Sequence, residues 1–135
     1  YLPIQYFAGM VGIFLFYVQH QFEDAYWEHD PRWEHLKAAM EGSTYLKLPR
    51  VLQWLTGNIG FHHIHHLAPK LPNYLLPEVQ GKVDLVKVAP TGTRKDAFRI
   101  AFADMHLHDE KRRKLVGFKE AHRLLREGSA AHEGV

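Results

Sequence analysis

The sequence predicts an all-α chain: one membrane-spanning helix, then a cap of cytosolic helices, then a short C-terminal extended and helical region. Three observations carry this. Residues 1–18, YLPIQYFAGMVGIFLFYV, contain one strongly polar side chain, Gln5. All 17 lysines and arginines lie from Arg32 onward. Residues 50–67, RVLQWLTGNIGFHHIHHL, read as a helix that concentrates four histidines near its end.

The first element is the apolar run. As a helix it extends about 27 Å at about 1.5 Å per residue, just short of a hydrocarbon core. It has no basic n-region or small-residue cleavage site of a signal peptide. We therefore assign residues 1–22 to a transmembrane helix, with Tyr17, Tyr26 and Trp27 as interfacial aromatics. The absence of basic residues before Arg32 places the cap, residues 23–126, on the cytoplasmic side. The core helix of a soluble protein is the competing reading of the same run.

Further along, Asp30-Pro31 marks a turn, and a short helix around Trp33–Met40 ends at Gly42. Ser43 and Thr44 open an irregular stretch that runs to Pro49. The helix over 50–67 is stopped by Ala68-Pro69. PKLPNYLLP, with three prolines in residues 69–77, is a connector, and VDLVKVAP (83–90) alternates weakly as a short strand. Phe98, Ala101, Phe102 and Met105 share the i, i+3, i+4, i+7 spacing of an amphipathic helix over 94–106. Residues 127–135 read as a flexible tail. Hydrophobic content of 46% excludes a disordered chain. The basic run Lys111–Lys114 has no interleaved aromatics, so it reads as a solvated or headgroup-facing surface and not as a nucleic-acid site.

The chemistry lies in GFHHIHH, residues 60–66. At about 100° per residue, His62, His65 and His66 share an arc of about 100° on one helical face, with His63 at its margin. Three adjacent imidazoles resist joint protonation, because like charges repel and apolar walls penalise each charge. A bound cation uses the neutral lone pairs instead. With no cysteine in the chain, the ligands are nitrogen and oxygen. Imidazole suits zinc, copper, iron and nickel alike. His20 is a further candidate, as a ligand or as an interfacial side chain. Glu23, Asp24 and Asn58 are candidates to hydrogen-bond the ligand imidazoles; Glu23 and Asp24 read equally as helix-end charges. The remaining histidines read as surface. Leu67, Leu71, Leu75 and Leu76 either line a path to the site or pack as core.

FYVQHQFEDAYWE (16–28), LQWLTGNIGFHHIHHLAPKLPNYLL (52–76) and LHDEKRRKLVGF (107–118) together resemble the C-terminal part of an integral-membrane fatty acid desaturase of the bacterial acyl-lipid type. The middle stretch carries the family's third histidine box, H-x-x-H-H, as His62, His65 and His66. The resemblance implies transmembrane helices under a cytosolic cap, in the bacterial inner membrane. It also implies two non-haem irons that activate O2 and place a cis double bond in a fatty acyl chain. The acyl group is carried on a lipid, CoA or an acyl carrier, and electrons come from ferredoxin or a cytochrome b5-like donor. It makes His62, His65 and His66 iron ligands and matches His20 to an additional histidine near the end of the last membrane helix. The family's first two histidine boxes have no counterpart here, so the chain reads as the last third of the enzyme and is expected to be inactive alone. A histidine-box membrane hydroxylase or ketolase, and a His-rich metal-binding module, are the alternative readings.

Overall fold

The computed structural model describes the backbone of residues 1–102 and 106–132. It begins with α1 (Leu2–His20), whose second residue is Pro3, at a position where the missing N–H costs no hydrogen bond. This helix is long and apolar enough to cross a membrane, and most of its residues up to Phe16 are exposed. From Phe14 onward one side of it packs on the body of the protein, and Val18 and Gln19 in the last turn are buried.

α2 (His35–Glu41) ends at Gly42, whose N–H bonds to the Ala38 carbonyl at 3.0 Å. The irregular stretch expected after it contains a strand. β1 (Tyr45–Lys47) pairs in parallel with β2 (Thr91–Thr93), so the chain is mostly helical but not all-α. β3 (Leu107–Asp109) and β4 (Lys114–Val116) form an antiparallel pair. The strand expected over 83–90 is instead a 3-10 turn, Asp84–Val88, closed by a 2.7 Å Lys87–Asp84 ion pair. Of its apolar side chains only Val86 reaches the core, so a pleated alternation has nothing to pack against.

The long helix expected over 50–67 is two helices, α3 (Arg50–Leu55) and α4 (His62–Leu67). Gly57 and Asn58 between them take φ values of 64° and 60°, in the left-handed region that no α-helix tolerates. Glycine and asparagine are the residues that enter this region most readily. α5 (Leu76–Lys82) follows the proline-rich connector. α6 (Arg94–Ala101) starts with a capping box in which Thr93 and Asp96 satisfy each other's backbone N–H groups. Met105, expected on the same face, lies outside the described residues. α7 (Phe118–His132) continues as helix into the segment expected to be a flexible tail.

Two small cores result. Phe61, Ile64, Leu76 and Val86 form one, joined by Leu67 and Leu71. Val18, Leu46 and Ala97 form the other, with Phe14, Tyr17 and Ile100 packed around it. The loop after α1 is clipped by the β3–β4 pair: Lys114 reaches Glu23 at 3.0 Å and Asp24 at 3.3 Å, Leu115 N–H donates to the Glu23 carbonyl at 2.8 Å, and Arg113 pairs with Glu28. Hydrogen bonding to Glu23 and Asp24 raises the Lys114 pKa. The basic run is thus partly an internal clasp.

Candidate metal centre

α4 is short, but its i, i+4 pair still stacks one above the other, which sets His62 beside His66. Their Nε2 atoms are 3.1 Å apart. The third member comes from the end of α1: His20 Nε2 lies 2.9 Å from His62 Nε2 and 3.2 Å from His66 Nε2. Among the described residues these three form a group able to hold a metal ion.

His20 is oriented by the chain itself. Its Nδ1 is 3.0 Å from the Gly42 carbonyl, which only accepts, so Nδ1 carries the proton and donates. With that proton fixed on Nδ1, Nε2 is the nitrogen left to offer a lone pair. The other two rings are disfavoured from protonating by their surroundings. Burial pushes the His62 pKa down to about 3, reinforced by the neighbouring His66 and His20. Burial also lowers His66, again with help from His20.

Three nitrogens in mutual contact cannot satisfy one another. An Nε2 either donates or accepts, so at most two of the three contacts are hydrogen bonds, and the third opposes two like groups. A cation at the centre accepts all three lone pairs. Imidazole nitrogens each about 2.0–2.1 Å from one metal lie roughly 3 Å from one another, the spacing found here. The donor set fits a nitrogen-ligated transition metal.

The other candidates are placed differently. The His65 ring is nearly parallel to that of His62, with centroids 5.9 Å apart, and it stands outside the group of three. Asn58 is spent on the turn, its amide donating to the Asn73 carbonyl at 3.1 Å. Glu23 is exposed and faces Lys114. His108, expected at the surface, is half-buried against Trp27, with centroids 4.9 Å apart.

His63 faces away from the group. It is fully buried and meets Gln80 of α5 at 3.0 Å, so it ties the histidine helix to the core. Its position at the arc's margin was the only sequence signal. His63→Ala is expected to destabilise the fold by about 2–4 kcal/mol while leaving the His20–His62–His66 group intact. Thermal unfolding together with metal content checks this.

An open groove of about 840 Å³ leads to the group. Phe7, Val11, Leu15 and Phe16 of α1 line it together with Leu55 and Ile59, and His62 is part of its wall. The Phe7–Phe16 stretch corresponds to about 14 Å of helix. The groove is thus largely apolar and reaches one of the three clustered imidazoles.

The fatty acid desaturase family model matches residues 1–89, which include the groove and every histidine of the cluster. The chain belongs to the fatty acid desaturase family. It is similar to a fatty acid desaturase of Bacillus subtilis (strain 168), 48% identical over 118 residues. That match covers 87% of this chain and 33% of the relative, so this desaturase chain spans about a third of the relative's length. No solved structure matches it.

Proposed function

We propose that this chain is part of an integral-membrane enzyme that uses O2 and two irons to place a cis double bond in a fatty acyl chain. The observation that carries the reading is the convergence of three imidazole nitrogens beside an apolar groove whose wall includes His62. His20, His62 and His66 would hold iron, with His65 as the further ligand that the histidine-box pattern supplies. Iron, when bound, supplies the oxidising power needed to attack an unactivated C–H bond.

The chain's own residues do the positioning. The Gly42 carbonyl holds the proton on His20 Nδ1 and so keeps Nε2 free for metal. Phe7, Val11, Leu15 and Phe16 orient a saturated chain along α1 and exclude water from its path. In the overall reaction O2 accepts four electrons, two from the acyl C–H bonds and two from ferredoxin or a cytochrome b5-like donor, and leaves as two waters. The acyl group arrives on a membrane lipid, CoA or an acyl carrier.

Three or four histidines do not complete two iron sites, so the remaining ligands belong to other parts of the full-length enzyme. This chain expressed alone is therefore expected to form no new unsaturated fatty acids, whereas the full reading frame in the same host forms them. Fatty-acid analysis of the host lipids decides. Unsaturated products from this chain alone would overturn the two-iron reading, and an alcohol in place of an alkene would mark a hydroxylase.

α1 would lie in the bacterial inner membrane, with the basic remainder in the cytoplasm. A reporter that works only in the cytoplasm, fused after Val135, is expected to be active. A reporter active only outside the membrane would overturn the topology.

A further inference from the structure

α6 lies beyond the residues that the family model matches and contributes nothing to the histidine group. One face packs on the membrane helix: Ala97, Ile100 and Ala101 share a core with Phe14, Tyr17 and Val18 of α1. The next face round the helix holds Phe98 and Phe102, which are 61% and 88% exposed. Exposed Lys95 lies further back on the Phe102 side, Arg99, 4.0 Å from Asp96, follows further round, and Arg94 stands at the helix start. Phe98 on this basic helix and Phe102 at its C-cap thus leave two large aromatics open side by side, a face that calls for a cover.

The position of α6 says what the cover is. The Phe98 ring is 5.8 Å from that of Phe14. Phe14 sits six residues before His20, about 9 Å back along the α1 axis. If α1 crosses the bilayer and leaves it near His20, α6 lies beside it at the depth where amphipathic helices rest, about 5–10 Å into the headgroup–acyl boundary. The charges complement that position, because basic side chains beside inserted aromatics meet anionic headgroups.

We propose that α6 is an in-plane membrane anchor: Phe98 and Phe102 insert into the leaflet while Arg94, Lys95 and Arg99 engage anionic lipid headgroups. The proposal rests on the reading of α1 as a membrane span. Its consequence reaches the histidine site through the sheet. β2 leads directly into α6 and pairs with β1, and the Leu46 N–H of β1 bonds to the Gly60 carbonyl just before the histidine helix. The anchor therefore sets the height of the metal centre above the bilayer.

The chain has no cysteine, so one introduced cysteine gives a unique spin-label site. Phe102→Cys, Lys95→Cys and Gly9→Cys are labelled in the full chain in vesicles of phosphatidylcholine with and without phosphatidylglycerol. Collision rates with O2 and with a water-soluble nickel chelate are compared. The label at 102 is expected to favour O2, at a depth of about 5–10 Å, and to move outward when phosphatidylglycerol is omitted. The label at 95 is expected to favour nickel. A nickel-accessible label at 102, with the label at 9 still in lipid, would overturn the anchor and leave the span reading intact. A label at 102 shielded from both reagents would mean that protein covers the face, from another segment or a second copy, and would overturn the anchor too. Unchanged depth without phosphatidylglycerol would remove the headgroup role. Nickel access at 9 would overturn the span reading and the anchor with it.

Discussion

His62→Ala in the full-length desaturase is expected to abolish iron binding and desaturation together, and His66→Ala and His20→Ala are expected to do the same. The reason is the geometry of the three Nε2 atoms, which lie 2.9–3.2 Å apart in one triangle. Removing any one corner leaves two of the three converging lone pairs, and His65 stands outside the triangle and does not take the vacant place. Loss of a group that merely supports a ligand costs about 10–100-fold in metal affinity. Loss of the ligand itself should exceed that, and activity should fall below detection. His63→Ala is the internal control, because its ring contacts Gln80 and not the triangle. Iron content per purified protein and fatty-acid products are read on the same samples. Iron retained at wild-type level in His62→Ala would overturn the assignment. Iron lost in His63→Ala from protein that still folds would show that the triangle is not the centre.

The parts of this site that the sequence made legible are local. An uninterrupted apolar run implies α1, and H-x-x-H-H needs only a single helical turn to bring His62 and His66 together. That turn survives in α4 although the helix around it does not. What was not legible depends on distant segments. The partnership of His20 with the box spans 42 residues: its place at the end of the apolar helix left it a ligand or an interfacial side chain, and the resemblance matched it to an additional histidine. The Gly42 carbonyl that orients His20 belongs to a helix cap whose own position was predicted but whose second use was not. β1 and β2 are three residues each, too short for a two-residue period to register, and they pair in parallel across the whole histidine segment. The break in the helix over 50–67 was marked by T-G-N-I-G, residues 56–60. Gly57 and Asn58 take left-handed φ values there, which a continuous helix does not tolerate. Phe98 and Phe102 met the amphipathic pattern, yet the face buried on α1 is that of Ala97 and Ile100. A hydrophobic pattern alone does not tell a protein-facing side from an open one.

Gly60→Ala is expected to damage the site from outside it. Gly60 sits two residues before His62, and its backbone lies against β1: the Leu46 N–H donates to the Gly60 carbonyl at 2.8 Å. A Cβ at this position would lie 2.5 Å from the Leu46 carbonyl oxygen and 2.5 Å from both amide atoms of Gln53. Gln53 is itself buried and donates to that same Leu46 carbonyl at 3.1 Å, so it has no free direction in which to retreat. The strand or the loop must give way. Either movement is transmitted to His62, because Phe61 is fixed in the core and stacks on Tyr45 with ring centroids 4.8 Å apart. Overpacking of this kind costs about 1–3 kcal/mol. A displacement of about 1 Å in a reacting constellation costs about 100-fold in rate. Gly60→Ala should therefore lower both the unfolding temperature and the desaturation rate, the rate more severely. Gly81→Ala supplies the contrast. It lies in α5 with nothing within 4 Å of the new methyl, so it should be neutral or stabilise by about 0.5–1 kcal/mol. Gly60→Ala protein with wild-type unfolding, iron content and rate would mean that the loop between α3 and α4 does not hold the histidines against β1.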